Sequence, residues 1–222
     1  MVRRIKQFGR CALFGLAGYA AWVAIMLPLY GLVNPPLSNR MFADLMVRQT
    51  QEHAWTPLSR ISPALLTAVL LSEDASYCDH WGVDWEAATY AMQHGGGGAS
   101  TIPMQTVKNL FLWNGRTFLR KIPEIPLAYL ANLIWGKRRM LEIYLNIAEW
   151  GPGVFGVEAA ARHHFHVSAA SLTPQQASLL AAVLPNPIKR NAGRPAQIVR
   201  NHAARVRAQF GAGPQTIGCV TP

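Results

Sequence analysis

The apolar and charged positions divide the chain into an N-terminal apolar segment and a longer region of amphipathic segments. Residues 11–33 contain no charged side chain. At about 1.5 Å of helix rise per residue, this segment reaches roughly 34 Å, enough to cross a hydrocarbon core of about 30 Å. The pattern therefore predicts a transmembrane helix. A cleaved signal peptide is the alternative, but its apolar core is usually shorter.

Basic residues before this segment predict its orientation. Four of them precede it, namely Arg3, Arg4, Lys6 and Arg10. Because positively charged flanks stay on the cytoplasmic side, we expect the N-terminus in the cytoplasm and the rest of the chain across the inner membrane, in the periplasm. The expected divisions are a cytoplasmic N-terminus at 1–10, the span at 11–33, a juxtamembrane connector at 34–54, a globular domain at 55–212 and a C-terminal tail at 213–222.

Beyond the connector, apolar positions recur mostly at helical spacing, and we find no convincing run of alternating strand positions. The pattern predicts a mainly α fold. The expected helices cover 63–74, 84–93, a segment from about 102, a segment after Thr117, and then 137–150, 154–165, 174–184 and 195–210.

Glu73 lies at the end of the first of these helices. Leu66, Val69 and Leu70 precede it at helical spacing, so the carboxylate continues an apolar face. Partial desolvation there would raise its pKa toward the range of a neutral-pH acid or base. A solvated glutamate at a helix end is the alternative that this pattern leaves open.

A glycine run precedes a second candidate site. After Gly95–Gly98, Ser100 or Thr101 can cap the next helix. The free amides of a helix start favour a phosphate group. Gln105 and Lys108 are three positions apart on that helix, so both can reach the same anion.

A second carboxylate follows two arginines. Arg116, Arg120 and Glu124 are spaced by four, so an ion pair on one helix face would keep Glu124 charged. An ordinary exposed pair, worth a few tenths of a kcal/mol, is the alternative. Pro123 and Pro126 are expected to kink or delay this helix.

The charge balance limits the classes of partner, and the two cysteines beyond the span bear on the compartment. The formal net charge of +10 suits an anionic partner such as lipid headgroups or a phosphorylated substrate. The exported topology argues against nucleic acid. Cys78 and Cys219 lie outside the span, where an oxidising compartment permits a disulfide; two free thiols fit the sequence equally well.

Five blocks of residues occur in the order and spacing of a known family. They are Glu73-Asp74-x-x-Tyr77-x-x-His80-x-Gly82, Gly98-Ala99-Ser100-Thr101-Ile102-x-x-Gln105, Arg120-Lys121-x-x-Glu124, Leu141-Glu142-x-Tyr144-Leu145-Asn146, and Gly151-x-Gly153 with Gly156 and Ala159-Ala160. Over about residues 55–190 the chain resembles glycosyltransferase family 51, the peptidoglycan polymerases. It resembles the monofunctional members, because nothing after the blocks resembles a transpeptidase domain.

This resemblance implies a lysozyme-like, two-lobed domain on the outer face of the membrane. Its substrate would be lipid II, a disaccharide-peptide on a polyprenyl pyrophosphate. By position, Glu73 would be the general base that takes the proton from the 4-hydroxyl of the acceptor GlcNAc. That oxygen would attack C1 of the donor MurNAc with inversion, giving a β-1,4 link. The implied partners are lipid II, the growing glycan strand, membrane lipids and other proteins of cell-wall synthesis.

The resemblance also implies the remaining site residues. The substrate-binding positions are Asp74, Tyr77, His80, Ser100, Thr101, Gln105, Lys108 and Arg120. Lys108 and Arg120 match the family's pyrophosphate contacts. Glu124 matches a second catalytic carboxylate that orients the site or holds a divalent cation. Mg²⁺ or Mn²⁺ is therefore permitted but not required, and no organic cofactor is implied.

The chain departs from the family pattern at two places within these blocks. Tyr77 stands where the family usually has Phe, which keeps the ring and adds a hydroxyl. Pro103 and Met104 replace the usual Thr-Gln before Gln105, so the contact made by the first glutamine is missing.

Two other functions are compatible with parts of this pattern. A lysozyme-like hydrolase or lytic transglycosylase also places a glutamate after a helix, but has no use for Lys108 and Arg120 beside an anion site. A non-catalytic membrane-anchored scaffold of cell-wall assembly would not need Glu73 and Glu124 together with those cations.

Overall fold

The structure, a computed structural model, describes residues 2–48, 51–95, 100–113, 115, 118–212 and 217–221. Within these ranges the fold is mainly helical, as predicted. The helices are α1 (Val2–Leu32), α2 (Asn39–Arg48), α3 (Pro63–Glu73), α4 (Trp85–His94), α5 (Ile102–Phe111), α6 (Phe118–Ile147), α7 (Val157–Phe165), α8 (Pro174–Val183) and α9 (Gln197–Ala208). Short 3₁₀ turns cover Leu58–Arg60, Ala169–Ser171 and Phe210–Ala212.

Helix α1 contains an apolar stretch, Leu13–Leu32, that is long enough to cross a membrane and fits a single-pass anchor. Its C-terminal half packs on α6. There the indole of Trp135 donates to the carbonyl of Leu27 across 2.7 Å, and Arg139 donates to the carbonyl of Tyr30 across 3.1 Å. The anchor is thus fastened to the domain by polar as well as apolar contacts.

Six of the remaining helices form two packed groups. Helix α5 packs against α6 and α2, while α8 packs against α3 and α9. The two groups meet where the end of α3 approaches the start of α5, because Asp74 accepts a hydrogen bond from the amide of Ile102 across 2.8 Å. This arrangement agrees with a two-lobed, lysozyme-like domain.

A small sheet lies beside these helices, which the sequence did not predict. It consists of β1 (Glu52–His53), β3 (Val154–Phe155) and β2 (Glu149–Gly151) in that order, with β1 parallel and β2 antiparallel to β3. The expectation of unbroken helices over 137–150 and 154–165 was therefore wrong at their facing ends. The turn between β2 and β3 folds the two segments onto each other, and the segment expected as a connector supplies β1.

Helix α6 contains both prolines that were expected to kink or delay it, and that prediction was wrong. The backbone keeps helical dihedral angles through Pro123 and Pro126, and departs from them at Gly136, with φ 66° and ψ 173°. Glycine reaches positive φ without steric cost, so the bend falls there. Arg116 and Thr117 lie outside the described residues, and so does the predicted pairing of Arg116.

A disulfide joins Cys78 to Cys219, with their Cα atoms 5.6 Å apart. Of the two alternatives that the sequence left open, the structure has the bonded one. Cys78 lies in the turn after α3 and Cys219 in the C-terminal turn, where Arg138 also donates to the carbonyl of Val220 across 2.7 Å. Part of the tail is thereby held against the domain, close in sequence to Glu73.

Candidate active site

Glu73 is the last residue of α3, whose preceding leucines and valine lie in the core. Its partly buried carboxylate lines a cleft of about 590 Å³, together with Asp84, Tyr90 and Ser100. Burial raises the pKa of Glu73, whereas hydrogen bonds from Gln105 and Ser72 and the charge of Arg190 oppose the rise. A partly desolvated carboxylate facing a cleft can act as a base near neutral pH.

Gln105 connects Glu73 to the core of the other helix group. Its side-chain Nε2 donates to Oε2 of Glu73 across 3.1 Å and to the carbonyl of Ser100 across 3.2 Å. The hydroxyl of Tyr144, which is buried on α6, donates to Oε1 of Gln105 across 3.2 Å. The amide is therefore oriented from both ends, with its N–H groups toward the glutamate.

Asp74 and His80 hold the segment that follows Glu73. Oδ1 of Asp74 accepts from Nε2 of His80 across 2.9 Å, and Nδ1 of His80 accepts from the amide of Gly82 across 3.1 Å. With its other oxygen, Asp74 binds the first amide of α5. A carboxylate at a helix N-terminus is stabilised by the free amides there. The predicted anion-binding helix start thus accommodates a carboxylate of this chain.

Tyr77 is 0% exposed, and its hydroxyl donates to the carbonyl of Lys137 across 2.8 Å. The ammonium of Lys137 lies 4.5 Å from the centroid of the same ring and also donates to the carbonyl of His80. Burial lowers the pKa of Lys137 to about 8. The hydroxyl of Tyr77, which the usual Phe of the family lacks, therefore forms a hydrogen bond inside the domain.

Thr101 caps α5; of the two hydroxyl residues predicted as candidates, Ser100 and Thr101, it is the second that does so. Its Oγ1 accepts from the amide of Met104 across 3.4 Å and donates to the carbonyl of Gly82 across 2.6 Å. Pro103 falls within the first turn, where a missing N–H is harmless. The departure at Pro103 therefore leaves the helix start intact. The glycines at 96–98 lie outside the described residues.

Glu124 is 1% exposed and forms two ion pairs. Nε of Arg120 lies 2.6 Å from its Oε1, and Nζ of Lys121 lies 3.1 Å from its Oε2. Lys121 also donates to the hydroxyl of Ser100 across 2.6 Å. The alternative of an ordinary exposed pair was wrong, because the carboxylate is buried by the helices around it.

A second cleft, of about 380 Å³, contains the cations. It is lined by Lys108 and Arg120, and also by Gln105 and Tyr144. Burial lowers the pKa of Lys108, as does the positive charge of Arg120, while Glu124 opposes the change. Since Gln105 lines this cleft and also binds Glu73, the cations and the candidate base lie on two sides of one amide.

The donor set does not fit a divalent cation held by the protein alone. Both oxygens of Glu124 are paired with Arg120 and Lys121. Among the described residues there is no group of three His, Cys, Asp or Glu side chains that could hold a metal ion. The mechanism proposed below therefore contains no step through Mg²⁺ or Mn²⁺.

Sequence reasoning missed Arg190. The sequence places it in a basic C-terminal region that is expected to be solvated, but its guanidinium donates to the carbonyl of Ala182 across 2.8 Å and its charge acts on Glu73. No local pattern distinguishes Arg190 from its basic neighbours. Only the packing of α8 against α3 brings it near the carboxylate.

Comparisons with known proteins identify the family of this chain. The profile of the Transglycosylase family matches residues 38–210. A biosynthetic peptidoglycan transglycosylase of Agrobacterium fabrum is 48% identical over 202 residues, covering 88% of this chain and 89% of that protein. Proteins of the same name from Rhizobium meliloti and Brucella suis are 49% and 46% identical over 190 residues, covering 83% of this chain and 80% and 85% of their own lengths. On the extent of these matches, the chain belongs to the transglycosylase family.

Proposed function

We propose that this protein polymerises the glycan strands of peptidoglycan from lipid II. The names of its relatives support this activity, and so does the arrangement of a partly desolvated Glu73 beside the cations of the second cleft. The observation that carries the proposal is the amide of Gln105, which binds the candidate base and also lines the cleft of Lys108 and Arg120.

In this mechanism Glu73 acts as the general base. Its carboxylate takes the proton from the 4-hydroxyl of the acceptor GlcNAc, and the hydroxyl oxygen forms a bond to C1 of the donor MurNAc. The bond from C1 to the pyrophosphate oxygen breaks with inversion, which gives a β-1,4 link. Gln105 keeps one carboxylate oxygen in place while the other faces the acceptor.

The leaving group determines the role of the cations. As the bond to C1 breaks, negative charge grows on the lipid pyrophosphate, and positive groups fixed in advance stabilise that charge. Lys108 and Arg120 are suited to this role because both line one cleft. Glu124 orients Arg120 and Lys121 through its two ion pairs. We assign it a positioning role, and the side chains themselves supply the charge that a divalent cation would otherwise provide.

The other predicted substrate-binding residues divide by exposure. Ser100 lines the first cleft and can contact substrate. Asp74 and Thr101 line the same cleft as Ser100, but both are buried, as is Tyr77, and the polar side-chain atoms of all three are hydrogen-bonded within the protein. We infer that these three residues hold the segment around Glu73 rather than bind substrate themselves. His80 acts in the same way through its hydrogen bond to Asp74.

We further propose that α1 crosses the inner membrane with its N-terminus in the cytoplasm and the domain in the periplasm. The basic N-terminal residues and the disulfide both favour this orientation. Exposed apolar side chains along α6 favour contact with membrane lipids next to the anchor; they are Leu119, Ile122, Leu130, Leu133 and Ile134. Contacts with the growing strand and with other cell-wall synthesis proteins complete the proposed partners.

Incubation of the detergent-purified chain with lipid II tests the activity. Glycan polymer on a gel is the expected product. Cleavage of preformed peptidoglycan without polymer would instead indicate a lytic enzyme, and absence of both reactions from a folded protein would indicate a scaffold.

A further inference from the structure

Glu149 is a buried carboxylate in the second cleft that the mechanism above does not use. It lies on β2, is 9% exposed, and lines the cleft together with Lys108 and Arg120. One of its oxygens, Oε2, accepts from Nε of Arg40 across 2.8 Å. Arg40 belongs to α2, the helix that follows the anchor, and lines the same cleft.

The other oxygen of Glu149 has no partner. In the described part of the chain, no group donates to Oε1. Three other buried polar atoms there share this condition, in Asp44, Asn132 and Trp150, but none of those residues lines either cleft. Leaving a buried acceptor unpaired is unfavourable, so such an atom at a cleft wall takes its donor from water or from a ligand that replaces the water.

The charges in the cleft determine which part of a ligand can supply the hydrogen-bond donor for Oε1 of Glu149. Phosphate oxygens carry negative charge and have no hydrogen to donate, so they belong with Lys108 and Arg120 and are repelled by Glu149. A hydroxyl or amide N–H carries no charge and donates. A ligand with a phosphate at one end and such a donor close by can bind the cations of the cleft and Glu149 at the same time.

We propose that Oε1 of Glu149 accepts a hydrogen bond from a hydroxyl or acetamido N–H of the sugar attached to the diphosphate. Glu149 is then a binding residue that fixes which way the sugar phosphate enters the cleft, and Arg40 is the positioning residue that holds its other oxygen. The proposal rests on the function proposed above and assigns the substrate contacts of the same site.

Glu149→Gln is the informative substitution. The amide oxygen can still accept from Arg40, which turns the NH₂ group toward the cleft and replaces an acceptor by a donor. We expect KM for lipid II to rise about tenfold, the fold-change that one charge-assisted hydrogen bond commonly provides, with kcat changed much less.

Arg40→Lys, which keeps a donor for Oε2, should restore most of the affinity relative to Arg40→Met. Glu158→Gln removes a carboxylate that is likewise paired with an arginine, Arg162, and should leave KM unchanged.

Inhibition by inorganic pyrophosphate separates the sugar contact from a general effect of charge. This probe has phosphates but no sugar, and Glu149→Gln removes only a repulsive charge from it, so its inhibition constant should fall or stay the same in the variant while KM for lipid II rises. If pyrophosphate binds more tightly to the variant and KM for lipid II is unaltered, Glu149 acts only through its charge and the proposal is overturned. Direct binding of lipid II to the purified proteins, measured without turnover, should weaken in Glu149→Gln. This measurement tests the contact even if the wild type forms no polymer.

Discussion

Gln105 donates its side-chain N–H to Oε2 of Glu73 across 3.1 Å, from a helix that begins almost thirty residues after the glutamate. The bond favours the charged form of a carboxylate whose pKa burial raises. Two opposing effects therefore tune the base. Desolvation makes it basic enough to accept a proton, and the amide keeps enough of it ionised to work.

Replacing Gln105 with Leu should move the acidic limb of the pH profile of kcat/KM to higher pH. The base is active only when deprotonated, and loss of the N–H donor raises the pKa of Glu73 further. Initial rates of lipid II polymerisation across a pH series measure the limb. Tyr144→Phe leaves the bond to Glu73 in place and should move the limb less. An unmoved limb in the Gln105 variant would show that the amide does not tune the base.

Glu73→Gln should abolish polymer formation, with a fall in rate of at least about 10²-fold, because the general base is lost. Gel analysis of products from lipid II measures this directly. Undiminished polymer would remove Glu73 from the role of base.

The same variant should be more stable than the wild type at neutral pH. Burial raises the pKa of Glu73 above its value in the unfolded chain, so the native protein loses stability as pH rises through the folded-state pKa. Glutamine has no charge to bury and avoids that loss. The melting temperatures of the two proteins should coincide in acid, below the unfolded-chain pKa, and separate as pH increases. If Glu73→Gln melts at a lower temperature than the wild type at neutral pH, burial of the charged Glu73 carboxylate does not destabilise the fold.

The sequence allowed prediction of the parts of the site that depend on local spacing. The cap at Thr101 follows from a hydroxyl just before a helix start, and the pairing of Arg120 with Glu124 follows from a spacing of four. The blocks of family residues also pointed to Glu73, which lines the first cleft. In each case the physical cause lies within one turn of helix or one short motif.

Contacts between distant segments could not be predicted in this way. The bond from Gln105 to Glu73 and the effect of Arg190 depend on how three helices pack. The burial of Glu124 is likewise tertiary, because the same spacing fits an exposed face. The strands escaped prediction since β1 and β3 have two residues each, too few to show alternation.

Lys108→Met should lower kcat for lipid II by about 10²-fold, the usual effect of removing one preorganised charge from a site where charge develops. The side chain is partly buried and lines the cleft together with Arg120, so water compensates only in part for the loss of its ammonium group. Steady-state kinetics with purified lipid II measure the loss. Lys189→Met, at an exposed position, is the matched control and should behave as the wild type. A rate within about twofold of wild type for the Lys108 variant would exclude it from leaving-group stabilisation.

The double substitution of Cys78 and Cys219 by Ser should lower the free energy of unfolding by roughly 2–5 kcal/mol, the usual effect of removing a native disulfide. The bond closes a loop between residues 141 positions apart, so it constrains most of the unfolded domain. Urea denaturation of the detergent-solubilised protein, with and without a reducing agent, measures the change.

Reductant should destabilise the wild type to the level of the double variant and leave that variant unaffected. Cys11→Ser, which removes the free exposed cysteine of α1, is the control and should respond to reductant as the wild type does. Equal stability of the wild type in oxidising and reducing buffer would mean that the disulfide does not support the fold, and would also remove it as support for a periplasmic domain.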